Sequence, residues 1–165
     1  MKDSLKLENQ FCFAVYALSR EITKVYRPML NQLGLTYTQY LVMIVLWEKD
    51  GIALKELGKS LDLDSGTLTP LLKKLENEGH IVRERDFRDE RNLIIHLTEQ
   101  GKHLMKQAEK VPEKVRCFIP LEDQEIAELR VRLQAVLASM QEKKDEEKSG
   151  KHSKTRNSEK EPLTV

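Results

Sequence analysis

Two cysteines, one tryptophan and 5% aromatic residues are too few for several common architectures in this 165-residue chain. A disulfide-stapled scaffold is excluded. No apolar run reaches the roughly 20 residues that a membrane span needs. The opening MKDSLKLENQ lacks the apolar core of a secretory leader, so the expected compartment is the cytoplasm, where thiols stay reduced. His80, His96, His103 and His152 are scattered without ligand spacing, and no metal site is expected. Gly-rich phosphate loops, paired carboxylates and Ser-His-Asp arrangements are missing too, so neither a cofactor nor an enzyme is expected. The net charge is only +1 and exerts no long-range pull on nucleic acid. Any DNA affinity has to come from local arrangement. What remains, 33% charged and 39% hydrophobic residues, suits one helix-rich globular domain.

Local arrangement is richest in residues 64–97, DSGTLTPLLKKLENEGHIVRERDFRDERNLIIHL. Leu68, Leu71, Leu72 and Leu75 recur at i, i+3, i+4, i+7 and give a helix one apolar side. Gly66, Pro70, Lys73 and Asn77 fall opposite, with Lys74 beside them and Thr69 on the flank. Asp64 or Ser65 is placed to cap the start, and Gly79 to end the helix. Pro70 has no N–H for the Gly66 carbonyl, so either the first turn is distorted or the helix begins later. Residues 81–85 and 92–97 then read as two strands joined by a charged loop. A capped helix followed directly by a β-hairpin is the layout of a winged helix-turn-helix, whose helix fits the major groove and whose hairpin tip reaches phosphates or the minor groove. A surface helix and hairpin in a small α+β domain satisfies the same pattern. Charge does not decide between them, because the stretch holds six Lys/Arg against seven Asp/Glu.

Around this stretch the chain reads as helices. Leu7, Phe11, Val15, Leu18, Ile22, Val25 and Met29 step by three and four, predicting a long first helix bent or ended near Pro28. Thr36 or Thr38 caps a second helix to about Trp47, apolar nearly all round and so expected to be buried. Ile52 and Ala53 suit a short strand beside the hairpin, and residues 54–61 a third helix. Thr98 caps a fifth helix, interrupted by Pro112 and Pro120. A sixth, from about residue 122 to 140, aligns Ile126, Leu129, Leu133, Val136, Leu137 and Met140. Residues 142–161 hold no aliphatic or aromatic side chain, which predicts a disordered charged tail over 142–165. The fold class is mainly α with a small β-wing. Residues 36–98 form the winged helix-turn-helix, and 1–35 with 99–141 form a helical dimerisation module. The outer helices carry stripes too long for a small domain to cover, so a second copy of the chain is the economical partner. A two-fold dimer sets its recognition helices about 34 Å apart, facing a palindrome.

Six motifs now stand in order: LENQFCF at 7–13, TKVYRPML at 23–30, LTYTQYLVMIVLWE at 35–48, LDSGTLTPLLKKLENEG at 63–79, DERN at 89–92 and LTEQG at 97–101. In this order and spacing the chain resembles the MarR family of bacterial regulators, and within it the organic-hydroperoxide sensors called OhrR. The resemblance covers about residues 7 to 140. It implies a homodimer that binds a palindromic double-stranded operator and represses a gene for an organic-hydroperoxide-detoxifying thiol peroxidase. It implies that Cys12 is the reactive cysteine, with Tyr26 and Tyr37 hydrogen-bonding near it, Tyr16 adjacent, and part of the cluster supplied by the partner subunit. It places Arg91 in the minor groove at a wing tip of residues 88–91, with Asp89 bracing it. The charged tail is not part of the family pattern.

The chemistry fits that resemblance. A thiolate is the species that attacks an O–O bond, and phenol donors favour the charged sulfur. Phe11 and Phe13 favour a greasy alkyl peroxide over hydrogen peroxide. Attack gives a sulfenic acid, which condenses with a second thiol in reach. VPEKVRC at 111–117 matches the placement of the resolving cysteine in two-cysteine sensors, so the resemblance implies an intersubunit Cys12–Cys117 disulfide. On the DNA side, Ser65, Thr67, Thr69 and Lys73 are expected in the groove and Lys74 on a phosphate. Arg83, Arg85 and Arg88 either touch phosphates or pair with Glu84, Asp86, Asp89 and Glu90, and pairing is the expectation. Three alternatives stay open. Cys12 is a small buried hydrophobe and the inducer a noncovalent phenolic ligand, or the chain is a thiol peroxidase, or Cys117 is merely packed and a small thiol caps Cys12.

Overall fold

A computed structural model gives the architecture. It describes residues 2–87, 89 and 92–157, with backbone alone at 144, 145 and 147–157. The chain divides into two compact units, Met1–Ile119 and Pro120–Val165.

The first unit opens with two short 3-10 turns, Asp3–Leu5 and Leu7–Asn9. Helix α1, Phe11–Gln32, runs straight through Pro28 rather than ending there. Helix α2, Tyr37–Glu48, starts with a capping box: the Thr36 hydroxyl accepts from the Gln39 N–H at 3.3 Å, and Gln39 Oε1 accepts from the Thr36 N–H at 2.8 Å. Strand β1 (Ile52–Ala53), α3 (Leu54–Leu61), α4 (Ser65–Asn77), β2 (Ile81–Arg85) and β3 (Leu93–Leu97) follow, then α5 (Glu99–Ala108) and α6 (Val111–Arg116). The strands form an antiparallel sheet in the order β1-β3-β2. Ile52 sits opposite Ile95, and Arg83 opposite Ile95 on the other side. The two-residue strand beside the hairpin and the helix after Thr98 stand where the sequence puts them.

Helix α2 touches α1, α3, α4, α5 and β3. Its apolar residues have no single face, so every neighbour must cover part of it. Tyr40, Val42, Met43 and Leu46 are buried against Leu57 of α3, Leu68, Leu72 and Leu75 of α4, and Ile95 of β3. Leu30 of α1, Leu104 and Ala108 of α5, and Val111 and Val115 of α6 join the same cluster. The boundaries expected at 35/36 and 98/99 are therefore not packing boundaries. The flanking helices supply cover that the winged segment lacks. Trp47 ties α2 to α5 by donating its indole N–H to the Gly101 carbonyl at 2.9 Å.

The second unit is α7, Asp123–Asn157. Where a disordered tail is expected over 142–165, the helix continues to Asn157, and residues 158–165 lie outside the described residues. Lys, Glu and Gln dominate residues 141–148, and their high helix propensity carries a helix that no core supports. Leu129, Leu133, Val136, Leu137 and Met140 stand exposed along α7. The N-terminal half of α1 likewise exposes Phe11, Phe13, Val15 and Leu18. Among the described residues no helix is long and apolar enough to cross a membrane.

The turn between α3 and α4 depends on a close approach. Asp62 adopts the left-handed region at φ 52°, and the Leu63 N–H donates back to the Gly58 carbonyl at 2.9 Å. A Cβ on buried Gly58 would lie 2.7 Å from the Leu63 carbonyl oxygen. Gly58→Ala is expected to lower unfolding free energy by about 1–3 kcal/mol, as overpacking does. Urea denaturation followed by circular dichroism checks it.

Candidate nucleic-acid interface and thiol site

Helix α4 is fixed at both ends by its own sequence. The Asp64 carboxylate accepts from the Thr67 N–H at 2.9 Å and the Thr67 hydroxyl at 3.0 Å. Those bonds from Thr67 hold the Asp64 carboxyl below its ordinary range. At the other end Gly79, with φ 79°, closes a Schellman motif. Its N–H donates to the Glu76 carbonyl and the His80 N–H to the Leu75 carbonyl, each at 2.9 Å. Pro70 sits inside the helix, which begins at Ser65 and not later. With Leu68, Leu72 and Leu75 buried, Ser65, Gly66, Thr67, Thr69, Pro70, Lys73, Lys74 and Asn77 are all left exposed. Two of the expected groove contacts are modified by the geometry. The Thr67 hydroxyl proton goes to Asp64, and the Thr69 hydroxyl donates to the Ser65 carbonyl at 2.6 Å. Both hydroxyls therefore face outward as acceptors. Lys74 Nζ lies 3.9 Å from the Glu78 carboxylate.

The wing is locked to this helix by a pair the sequence reading did not find. Arg83 was expected to pair with Glu84, Asp86, Asp89 or Glu90. Instead its Nε donates to Glu76 Oε2 at 2.9 Å and its backbone N–H to Glu76 Oε1 at 3.2 Å. The alternation of β2 turns Arg83 away from the side chains next to it in sequence and toward the last turn of α4. At the wing base, Asp86 N–H donates to the Asn92 carbonyl and Asn92 N–H to the Asp89 carbonyl, each at 2.9 Å. The bracing of Arg91 by Asp89 that the resemblance implies lies outside the described residues. Phe87 stands wholly in solvent. The expected contacts Arg88 and Arg91 lie outside the described residues.

Cys12 lies in the first turn of α1 and Cys117 just after α6; both are free and exposed. Cys117 Sγ donates to the Glu113 carbonyl at 3.5 Å. The tyrosines divide. Tyr26 and Tyr37 meet with ring centroids 4.9 Å apart, and Tyr40 joins Tyr26 at 5.9 Å. Tyr16 is exposed and lies under the Arg20 guanidinium instead, 5.6 Å from ring centre to carbon. Among the described residues no hydrogen bond joins Cys12 to any of them within one chain. Burial raises Tyr26, Tyr37 and Tyr40 above the ordinary phenol value, so all three are O–H donors at neutral pH. An open cleft of about 580 Å³ runs from Tyr16 past Arg20, Lys24 and Arg27 to Tyr37. Tyr40 was hidden from sequence reasoning by the apolar run it sits in. Glu76 and Gln39 gave no signal because their partners are distant in the chain.

The hydrogen bonds from Arg83, and then its charge, hold the Glu76 carboxyl below its ordinary 4.5. A depressed carboxylate stabilises the fold fully above the unfolded value and loses that contribution as pH falls through the folded one. Glu76→Gln is expected to cost about 0.5–1 kcal/mol at pH 7, since the pair is partly exposed. The gap to wild type should close as pH falls from the ordinary 4.5 through the lowered value. Thermal melts across that pH range check it.

Comparison with known proteins places this geometry. The family described as transcriptional regulator SarA/Rot matches residues 24–108. The organic hydroperoxide resistance transcriptional regulator of Bacillus subtilis is 43% identical over 141 residues, 86% of this chain and 96% of that protein. A structure of reduced AbfR bound to DNA superposes with a TM-score of 0.71 at 39% identity, covering 85% of this chain and 96% of that one. AbfR has been crystallised from Staphylococcus epidermidis. A structure of disulfide-formed AbfR matches with a TM-score of 0.58 at 41% identity, covering 82% and 95%. The likeness runs along most of the chain, and the chain belongs to the MarR family of transcriptional regulators, in its organic-hydroperoxide-resistance branch; it is a regulator and not an enzyme.

Proposed function

We propose that this protein is a redox-sensing repressor: a homodimer that grips a palindromic operator when reduced and lets go when an organic hydroperoxide oxidises Cys12. The observation that carries the reading is that both cysteines are exposed and unbonded to each other. A cysteine kept only for packing is usually buried. The relatives support it, since AbfR has a DNA-bound reduced form and a disulfide-formed one. The exposed stripes on α1 and α7 support a second copy as the cover for each.

The Cys12 thiolate attacks the hydroperoxide, the O–O bond breaks, sulfur takes an OH, and the alkoxide leaves as alcohol after taking a proton from solvent. The thiolate of Cys117 from the partner subunit then displaces that oxygen as water, closing an intersubunit disulfide. In this reading Tyr26 and Tyr37, protonated at neutral pH, donate to the Cys12 sulfur brought in by the partner. Forming the bond requires the Cα atoms within about 7 Å. A dimer module that must shift to reach that distance changes the spacing of the two α4 helices. Ser65, Thr67, Thr69 and Lys73 read the groove, Lys74 holds a phosphate, and Arg88 and Arg91 of the wing reach the adjacent backbone and minor groove. The gene controlled encodes a peroxidase that consumes the same hydroperoxide.

Cys12→Ser is expected to bind operator like wild type and to stay bound after cumene hydroperoxide; a gel shift reads it, and release of that variant overturns the sensing role. On a nonreducing gel, oxidised wild type should run as a covalent dimer that Cys117→Ser abolishes. Absence of that dimer in wild type overturns the resolving role.

A further inference from the structure

Gln39 has no exposed surface at all, which is unusual for a side chain that carries two donors and an acceptor. Its hydrogen bonds explain how it stays there. Oε1 accepts from the Thr36 N–H at 2.8 Å and from the Thr36 hydroxyl at 2.9 Å. Nε2 reaches 3.5 Å across to Glu78 Oε2, the C-cap residue of α4. The two helices are 39 residues apart in the chain at this point. Each end of the bridge meets something the proposed function uses. On the α2 side, Tyr37 occupies the same first turn as Gln39, and its ring leans on Tyr26. On the α4 side, the Glu78 carboxylate also faces Lys74, the expected phosphate contact. The Glu78 carbonyl takes a further bond from Gln100 Nε2 at 3.2 Å, so the cap is held from α5 as well.

We infer that Gln39 is a positioning residue that carries the redox state of Cys12, felt at the phenol cluster, to the recognition helix, through Glu78 and on to Lys74. The inference rests on the redox reading above. A buried amide can follow its backbone only as a rigid body, because any rotation strands a donor or an acceptor away from water. When the first turn of α2 moves with Tyr37, Gln39 pulls on Glu78 or lets it go. A released Glu78 shifts the C-cap of α4 and closes further on Lys74, 3.9 Å away while the bridge is intact, drawing it from DNA phosphate. An apolar side chain of similar length fills the space and breaks the coupling, since it offers Glu78 no donor.

The test compares wild type, Gln39→Met and Glu78→Met, each as the full chain. Operator affinity is measured for reduced and cumene-hydroperoxide-treated protein on a duplex that wild type selects from a random-sequence pool. The readout is the ratio of the two affinities. Both variants are expected to keep α-helical circular dichroism and to shrink that ratio about fivefold or more. Glu78→Met changes a surface carboxylate and keeps the test alive if the core substitution fails to fold. An unchanged ratio in a folded variant overturns the inference, even if affinity falls in both states, because the bridge is then only structural. A wild-type ratio of one overturns the redox reading itself, and the relay with it.

Discussion

Tyr40, Val42, Met43 and Leu46 put α2 at the centre of the first unit, with α1, α3, α4, α5 and β3 all resting on it. Helices with one apolar stripe leave a solvent face free to adjust; α2 leaves little. A displacement at its first turn is transmitted, because close-packed interiors are stiff and have few alternative arrangements. The tyrosine cluster sits at that first turn, and the recognition helix packs further along the same rod. The tyrosine cluster and α4, the sensor and reader of the proposed function, are parts of one packed body.

The reading head is small and its chemistry is spare. Asp64 and the Schellman turn at Gly79 fix the two ends of α4, three leucines fix its inner face, and the Glu76–Arg83 pair fixes the wing to it. Nearly every polar group that is not needed to hold the unit together is turned outward. A chain of net charge +1 cannot rely on a global field. Its specificity has to rest on how rigidly a few side chains are presented, and in the proposed dimer a second copy presents the same few one DNA turn away.

Periodicity and punctuation carried much of this into the sequence. The spacing of Leu68, Leu72 and Leu75 points to α4, Thr36 or Thr38 to the start of α2, Gly79 to the end of α4, and the two strand-like runs around a charged loop to the hairpin. Long-range pairs were not legible, because nothing local distinguishes Glu76 from Glu84 as the partner of Arg83. Only the fold brings Glu76 within reach. Gln39 carries no mark of its bridge until α4 is laid beside it. The tail was misread for a different reason. Low apolar content argues against a core, yet Lys- and Glu-rich chain forms helix without one.

The central claim is that one sulfur per protomer governs the hold on DNA. Anisotropy of a labelled operator, followed while cumene hydroperoxide is added to the reduced wild-type dimer in known equivalents, tests it directly. The account predicts that DNA is released along a line that breaks near one equivalent per protomer. Continued binding beyond several equivalents, with Cys12 shown by mass spectrometry to be oxidised, would contradict it.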